Sequence, residues 1–105
     1  MAFNGTEGEY VTLADASIWT ETYRDANPGA VKAHFLGKDK LAFLLGGRGC
    51  KGLRIYHAVD ENGDFVVVVV GADSNENDQL GTGYKIVERS RPCPPYCGGN
   101  NQLNS

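Results

Sequence analysis

Five consecutive valines, Val66–Val70, follow Phe65 and end at Gly71. No other stretch limits the possible folds of this chain so sharply. β-Branched side chains favour pleated backbone. A half-buried strand alternates apolar and polar residues, and this one does not. A strand apolar on both faces needs cover on both. Left open, it would template aggregation. Phe65–Val70 is therefore expected as the central strand of a sheet. Asn62-Gly63, inside Asp60–Asp64, signals a turn because both residues tolerate positive φ. Leu53–Val59 then supplies the first arm of a hairpin. Leu53, Ile55, His57 and Val59 share one face, and Arg54, Tyr56 and Ala58 the other.

Upstream, residues 1–11 read as a flexible arm. Thr12-Leu13-Ala14-Asp15 fits a variant capping box, with Asp at the usual Glu position. It predicts a helix over Leu13–Asp25, with Ala16, Trp19, Thr20 and Tyr23 on one face. Asn27-Pro28-Gly29 stops that helix. Val31–Leu36 alternates as a strand does. Asp39 is the expected N-cap of a short helix, Lys40–Leu45, which Gly46-Gly47 ends. After the hairpin, Ser74–Gly83 is polar and reads as a loop. Tyr84–Ser90 is expected as a last strand with Tyr84 and Ile86 inward.

The predicted order is α-β-α-β-β-β. The fold class is α+β: a small, mainly antiparallel sheet of three to four strands with the valine strand central. One longer and one short helix pack on it. Residues 1–91 form a single domain in this reading. Residues 92–105, PCPPYCGGNNQLNS, form a tail without a charged side chain. Pro94 and Pro95 favour an extended path for it.

A chain of 105 residues can bury a core unaided. Its formal charge is −3, and the lysines and arginines are scattered. That pattern argues against a nucleic-acid partner. No apolar run nears the roughly 20 residues of a membrane helix. The start, MAFNGTEGEY, lacks the basic and apolar blocks of a secretion signal. The expected location is the cytoplasm, with non-classical export as the other route. Three cysteines are an odd number, which makes no disulfide framework and mildly agrees with a reducing compartment.

Several stretches resemble chemistry that they do not support. GGRGCKG, residues 46–52, looks like a phosphate loop. Such a loop needs strand, glycine loop, then Lys-Ser/Thr opening a helix. Here the expected order is helix, loop, strand, and Gly52 follows Lys51. Cys50 is a candidate nucleophile beside Arg48 and Lys51, with His34 or His57 as its base. The plainer reading is a small thiol at a strand entrance, with His57 a hydrogen-bonded core residue. Cys93 and Cys97 have zinc-pair spacing but too few further ligands nearby, so no metal is assigned. A local disulfide is the other reading. Asp60 and Asp73 begin acidic loops that fail the EF-hand test. Counting from Asp60, the sixth and twelfth positions are Phe65 and Gly71; from Asp73 they are Asp78 and Tyr84. Trp19 and Tyr23 are a candidate aromatic platform for a ligand, or simply the face that packs the helix.

Four blocks carry a resemblance. They are NPGAVKAHFLGKD (27–39), GCKGLRIYHA (49–58), VVVVVGAD (66–73) and PCPPYCGGNNQLNS (92–105). Together they resemble a family of small uncharacterised bacterial proteins sharing NPGxxKAHFxGKD, GCxGxRIYxA and PCPPxCG. The resemblance covers most of the chain. It implies that the tail belongs to the protein, and it transfers no activity, cofactor or catalytic residue.

The expectation from these residues is a non-enzymatic protein that assembles with itself or another protein, as defined oligomers or filaments. A sheet edge or the tail would dock on the neighbouring subunit. The tail residues in view are Pro92, Cys93, Pro94, Pro95, Tyr96 and Cys97. The alternatives are a small-ligand or calcium-binding module and a small thiol-dependent enzyme or redox protein. No cofactor is expected.

Overall fold

The computed structural model describes residues 2–105. The element order is α1 (Leu13–Ala26), β1 (Ala33–Phe35), α2 (Lys38–Leu45), β2 (Cys50–Val59), β3 (Phe65–Asp73) and β4 (Arg91–Cys93). This is a small α+β fold with one long and one short helix. Its strands make two antiparallel two-stranded sheets, β1 with β4 and β2 with β3. The chain divides into two compact units: Met1–Glu7 with Leu36–Ser90, and Gly8–Phe35 with Arg91–Ser105.

The first unit is built on the valine hairpin. Val59 pairs with Phe65, Arg54 with Val70 and Leu53 with Gly71. Val67 and Val69 face Leu44 of α2, and Val87 completes the buried cluster. Leu36, Leu41 and Leu53 pack around it. Val69 is fully buried, and burying a valine is worth roughly 1.5–3 kcal/mol. On the opposite face Val70 is buried, while Val66 and Val68 are half-buried.

Two matching turns bracket β3. Asp60 Oδ1 accepts the N–H groups of Asn62 and Asp64. Asp73 Oδ1 accepts those of Asn75 and Asn77. Gly63 N–H donates to Asp60 O, and Glu76 N–H to Asp73 O. Gly63 has φ 83°, and Glu76, in the equivalent place, has φ 69°. The aspartates thus hold hairpin-type loops by side-chain to backbone bonds, the usual use of Asp in turns.

Three expectations for these elements need correction. Tyr84–Ser90 is not a strand: only Val87 bridges, to Val69. Arg89 at φ 64° breaks the extended path beyond it, and Ile86 is 59% exposed. The sixth element is instead β4, whose Pro92 lies opposite His34 of β1. The short helix begins at Lys38 with Gly37 as N-cap, which leaves Asp39 in its first turn.

In the second unit, α1 begins as its cap predicts. Thr12 Oγ1 accepts the Asp15 N–H at 3.1 Å. Asn27 closes it, its N–H bonding Tyr23 O and Arg24 O. No α1 residue is buried. The tail is ordered. Arg24 Nη1 donates to Leu103 O at 2.6 Å, and Lys32 Nζ to Asn104 O at 2.8 Å. Asn104 Nδ2 bonds the carbonyls of Cys97 and Gly99.

Candidate functional site

The backbone of β2 presents the most distinctive surface, and the hydrogen-bond phase identifies it. Val69 donates its N–H to Val87 O at 2.8 Å and accepts the Val87 N–H at 2.9 Å. Both polar groups of Val69 therefore point away from β2. In an antiparallel ladder such a residue sits in a non-hydrogen-bonded pair, whose members both turn outward. Its partner is Ile55, so Ile55 turns its N–H and C=O to the far edge of β2. Pairing alternates along a ladder, so Leu53, His57 and Val59 do the same.

The two edges of the hairpin differ. The outer edge of β3 is occupied at three places. Beyond Val87, Gly71 O accepts the Gln79 N–H at 2.9 Å, and Asp73 N–H donates to Asn77 O at 3.0 Å. The outer edge of β2 over Leu53–Val59 takes no backbone hydrogen bond from another segment among the described residues. Two of its apolar side chains are open, Ile55 at 58% exposed and Val59 at 59%, beside Phe65 at 70%. The regular stretch has sharp limits. An irregularity between Cys50 and Gly52 ends it on one side, and the Asp60–Asp64 turn ends it on the other.

His57 is exposed, which corrects its expected place in the core. The buried cluster reaches Leu53 on β2 and stops there, so the rest of that face is uncovered. Sequence periodicity gave the correct face for Leu53, Ile55, His57 and Val59. It carried no signal that α2 would cover only one end of that face.

The opposite face of β2 carries a polar cluster that the sequence reading did not single out. Arg54 Nη1 donates to Asp78 Oδ1 at 2.6 Å and to Glu76 O at 3.1 Å. Tyr56 Oη donates to Asp78 Oδ2. The Phe3 ring lies 5.5 Å from the Arg54 guanidinium, within cation–π range. The Tyr56 hydrogen bond, then the Arg54 contact, holds the Asp78 pKa below its ordinary value, against partial desolvation. The same carboxylate pushes the Tyr56 and Arg54 values up. The cluster ties the Asp73–Gln79 loop to β2. Arg54 and Tyr56 stand two apart on one face of a strand, so the single Asp78 carboxylate reaches both.

A cleft of about 390 Å³ lies at the end of α2, lined by Phe43, Gly47, Arg48, Gly71, Gln79 and Tyr84 among others. Gln79 is buried, and its Nε2 donates to Arg48 O at 2.7 Å. Tyr84 Oη bonds the same carbonyl at 3.3 Å. The GGRGCKG stretch runs helix, loop, strand, the wrong order for a phosphate loop. Cys50 is half-buried, and its Sγ donates to Gly52 O at 3.2 Å. Seven residues of strand, roughly 20 Å, separate it from His57. That distance removes His57 as its base. His34 belongs to the other unit.

In the second unit Trp19 is 58% and Tyr23 47% exposed, and Tyr23 Oη donates to Val31 O at 3.2 Å. Cys93 and Cys97 form a disulfide. Cys93 is buried, and its carbonyl accepts the Lys32 N–H at 2.6 Å. Tyr96 N–H bonds Pro92 O, and the Arg91 guanidinium lies 5.8 Å from the Tyr96 ring. Pro94 and Pro95 lie in a turn spanned by the Tyr96 N–H to Pro92 O bond, so this stretch departs from the extended path expected of it. The Leu103 and Asn104 carbonyls of the tail are thus engaged by Arg24 of α1 and by Lys32, which precedes β1.

Among the described residues no group of three or more His, Cys, Asp or Glu side chains could hold a metal ion. Among the described residues no helix is long and apolar enough to cross a membrane. A scan against protein-family models, a search of curated proteins and a search of solved structures each found no match for this chain.

Proposed function

We propose that this is a non-enzymatic self-assembling protein whose copies pair along the outer edge of β2. One observation carries the reading. Leu53–Val59 is a regular strand edge that offers outward N–H and C=O groups at Leu53, Ile55, His57 and Val59, and of these side chains the apolar Ile55 and Val59 are exposed. Such edges add strands from partners. Monomeric proteins usually blunt them with charge, proline or cover, and LRIYHAV has a single charged residue, Arg54. The tail is the weaker route, because the carbonyls of Leu103 and Asn104 already accept bonds from Arg24 and Lys32.

The test is His57→Pro. The lost N–H faces outward, so the β2–β3 ladder keeps its bonds, and proline is tolerated at such edge positions. Light scattering after size-exclusion chromatography should show the wild-type chain as an oligomer and His57→Pro as a folded monomer of 11.3 kDa. A wild-type chain that stays monomeric at every concentration would sink the proposal. So would a variant that assembles as the wild type does.

A further inference from the structure

Resting on that reading, we infer that the partner at the β2 edge is a second copy of this chain, bound antiparallel about a two-fold axis through Tyr56. Three observations fix this geometry.

The first is the phase of the edge. Across a β2–β2 pair, outward residues must meet outward residues to exchange hydrogen bonds. In an antiparallel self-pair this restricts the axis to a residue position. The second is the length of the regular edge. Leu53–Val59 is bounded by the Cys50/Gly52 irregularity and the Asp60–Asp64 turn, and its midpoint is Tyr56. Only an axis there engages all four outward residues. Leu53 then meets Val59 of the partner subunit, and Ile55 meets His57 of the partner subunit. An axis at Ile55 or His57 leaves one outward residue of each copy without a strand partner. The third is charge and shape. With the axis at Tyr56, Arg54 faces Ala58 of the partner subunit, so no like charges meet across the pair. The apolar residues Leu53, Ile55 and Val59 of both copies fall on one continuous face.

The same geometry limits growth. The four-stranded sheet runs β3-β2-β2-β3, and each outer β3 edge is already taken at Val87, Gln79 and Asn77. Two-fold pairing consumes the β2 edge, so this contact joins two copies and does not itself propagate into a filament.

Disulfide cross-linking reads the register from exposed positions, in a Cys50→Ser background with Cys93 and Cys97 already bonded to each other. Ile55→Cys and His57→Cys are prepared separately and then mixed under mild oxidant. Opposed residues of a hydrogen-bonded pair have Cα atoms about 5.5 Å apart, within disulfide range. Identical positions would be offset by two residues, roughly 8 Å, which is too far. The expected result is a covalent dimer from the mixture and none from either variant alone. Cross-linking of Ile55→Cys alone would move the axis to Ile55 and overturn the inference. Cross-linking of His57→Cys alone would move it to His57 with the same consequence. Dimers seen by light scattering that never cross-link would also overturn it, while leaving edge pairing to the His57→Pro test. A monomeric background protein would count against the proposed function itself.

Discussion

Gly71 ends the valine run, and alanine there should destabilise the protein. An ideal Cβ at Gly71 would lie 2.6 Å from Gln79 Oε1, 3.2 Å from Cys50 Sγ and 3.5 Å from Leu44 O. The first distance is shorter than any real contact, so Gln79 must move. Gln79 is 6% exposed, and its Nε2 is bonded to Arg48 O at 2.7 Å, which leaves it little room. Two effects compete. Alanine is intrinsically better than glycine inside a strand by roughly 0.5–1 kcal/mol. Overpacking costs about 1–3 kcal/mol, and losing the Gln79 hydrogen bond adds about 1 kcal/mol. The net loss should be about 1–3 kcal/mol, which the clash decides. Urea denaturation followed by far-ultraviolet circular dichroism would measure it by linear extrapolation. The mechanism makes a second demand. Pairing Gly71→Ala with Gln79→Ala should cost less than the sum of the single changes, because the obstacle is gone. A Gly71→Ala protein more stable than the wild type would refute the steric argument. Strict additivity in the double variant would locate the loss elsewhere.

Two other perturbations follow from the geometry. A folded Asp78 pKa below its ordinary 3.8 gives stabilisation that is complete above that value and is lost as pH falls through the lower folded one. Wild type and Asp78→Asn should therefore differ in stability at neutral pH and converge in acid; a gap unchanged down to about pH 2 would contradict the assignment. Gly63 has φ 83° and open space around its Cβ position, so Gly63→Ala should cost about 1–2 kcal/mol through backbone strain alone. An unaltered denaturation midpoint would mean that the turn relaxes.

The hairpin was legible because five valines and Asn62-Gly63 agree with one another, local propensity with turn chemistry. Thr12 announced α1 because a cap is a local hydrogen bond. What failed depended on distant chain. YKIVERS alternates like a strand, but a strand needs a neighbour along its length, and β3 offers one only at Val69. Arg91–Cys93 looks unlike a strand because proline donates no N–H. Its partner, β1, is more than fifty residues upstream by the register Phe35–Arg91, where no window of sequence could show it. The Asp78 cluster was half visible, in Arg54 and Tyr56, while the carboxylate waited on a loop of unmarked shape. The open edge of β2 was invisible for a related reason. Periodicity assigns faces, and edges are decided by which strands fail to arrive.

The pairing of Phe35 with Arg91 also sets an order of events. Leu36–Ser90 is an insertion between the two strands of the β1–β4 sheet. Were it unstructured, joining β1 to β4 would mean closing a long floating loop, with an entropy cost that rises as the logarithm of its length. The hairpin inside the insertion needs only the five-residue Asp60–Asp64 turn, a contact of short sequence range that forms on a fast timescale. Loop-closure entropy thus predicts that the valine hairpin folds with α2 before the second unit, shortening the loop its strands must close. A chain emerging from the ribosome meets the same order, since α2 and the hairpin precede β4 along it.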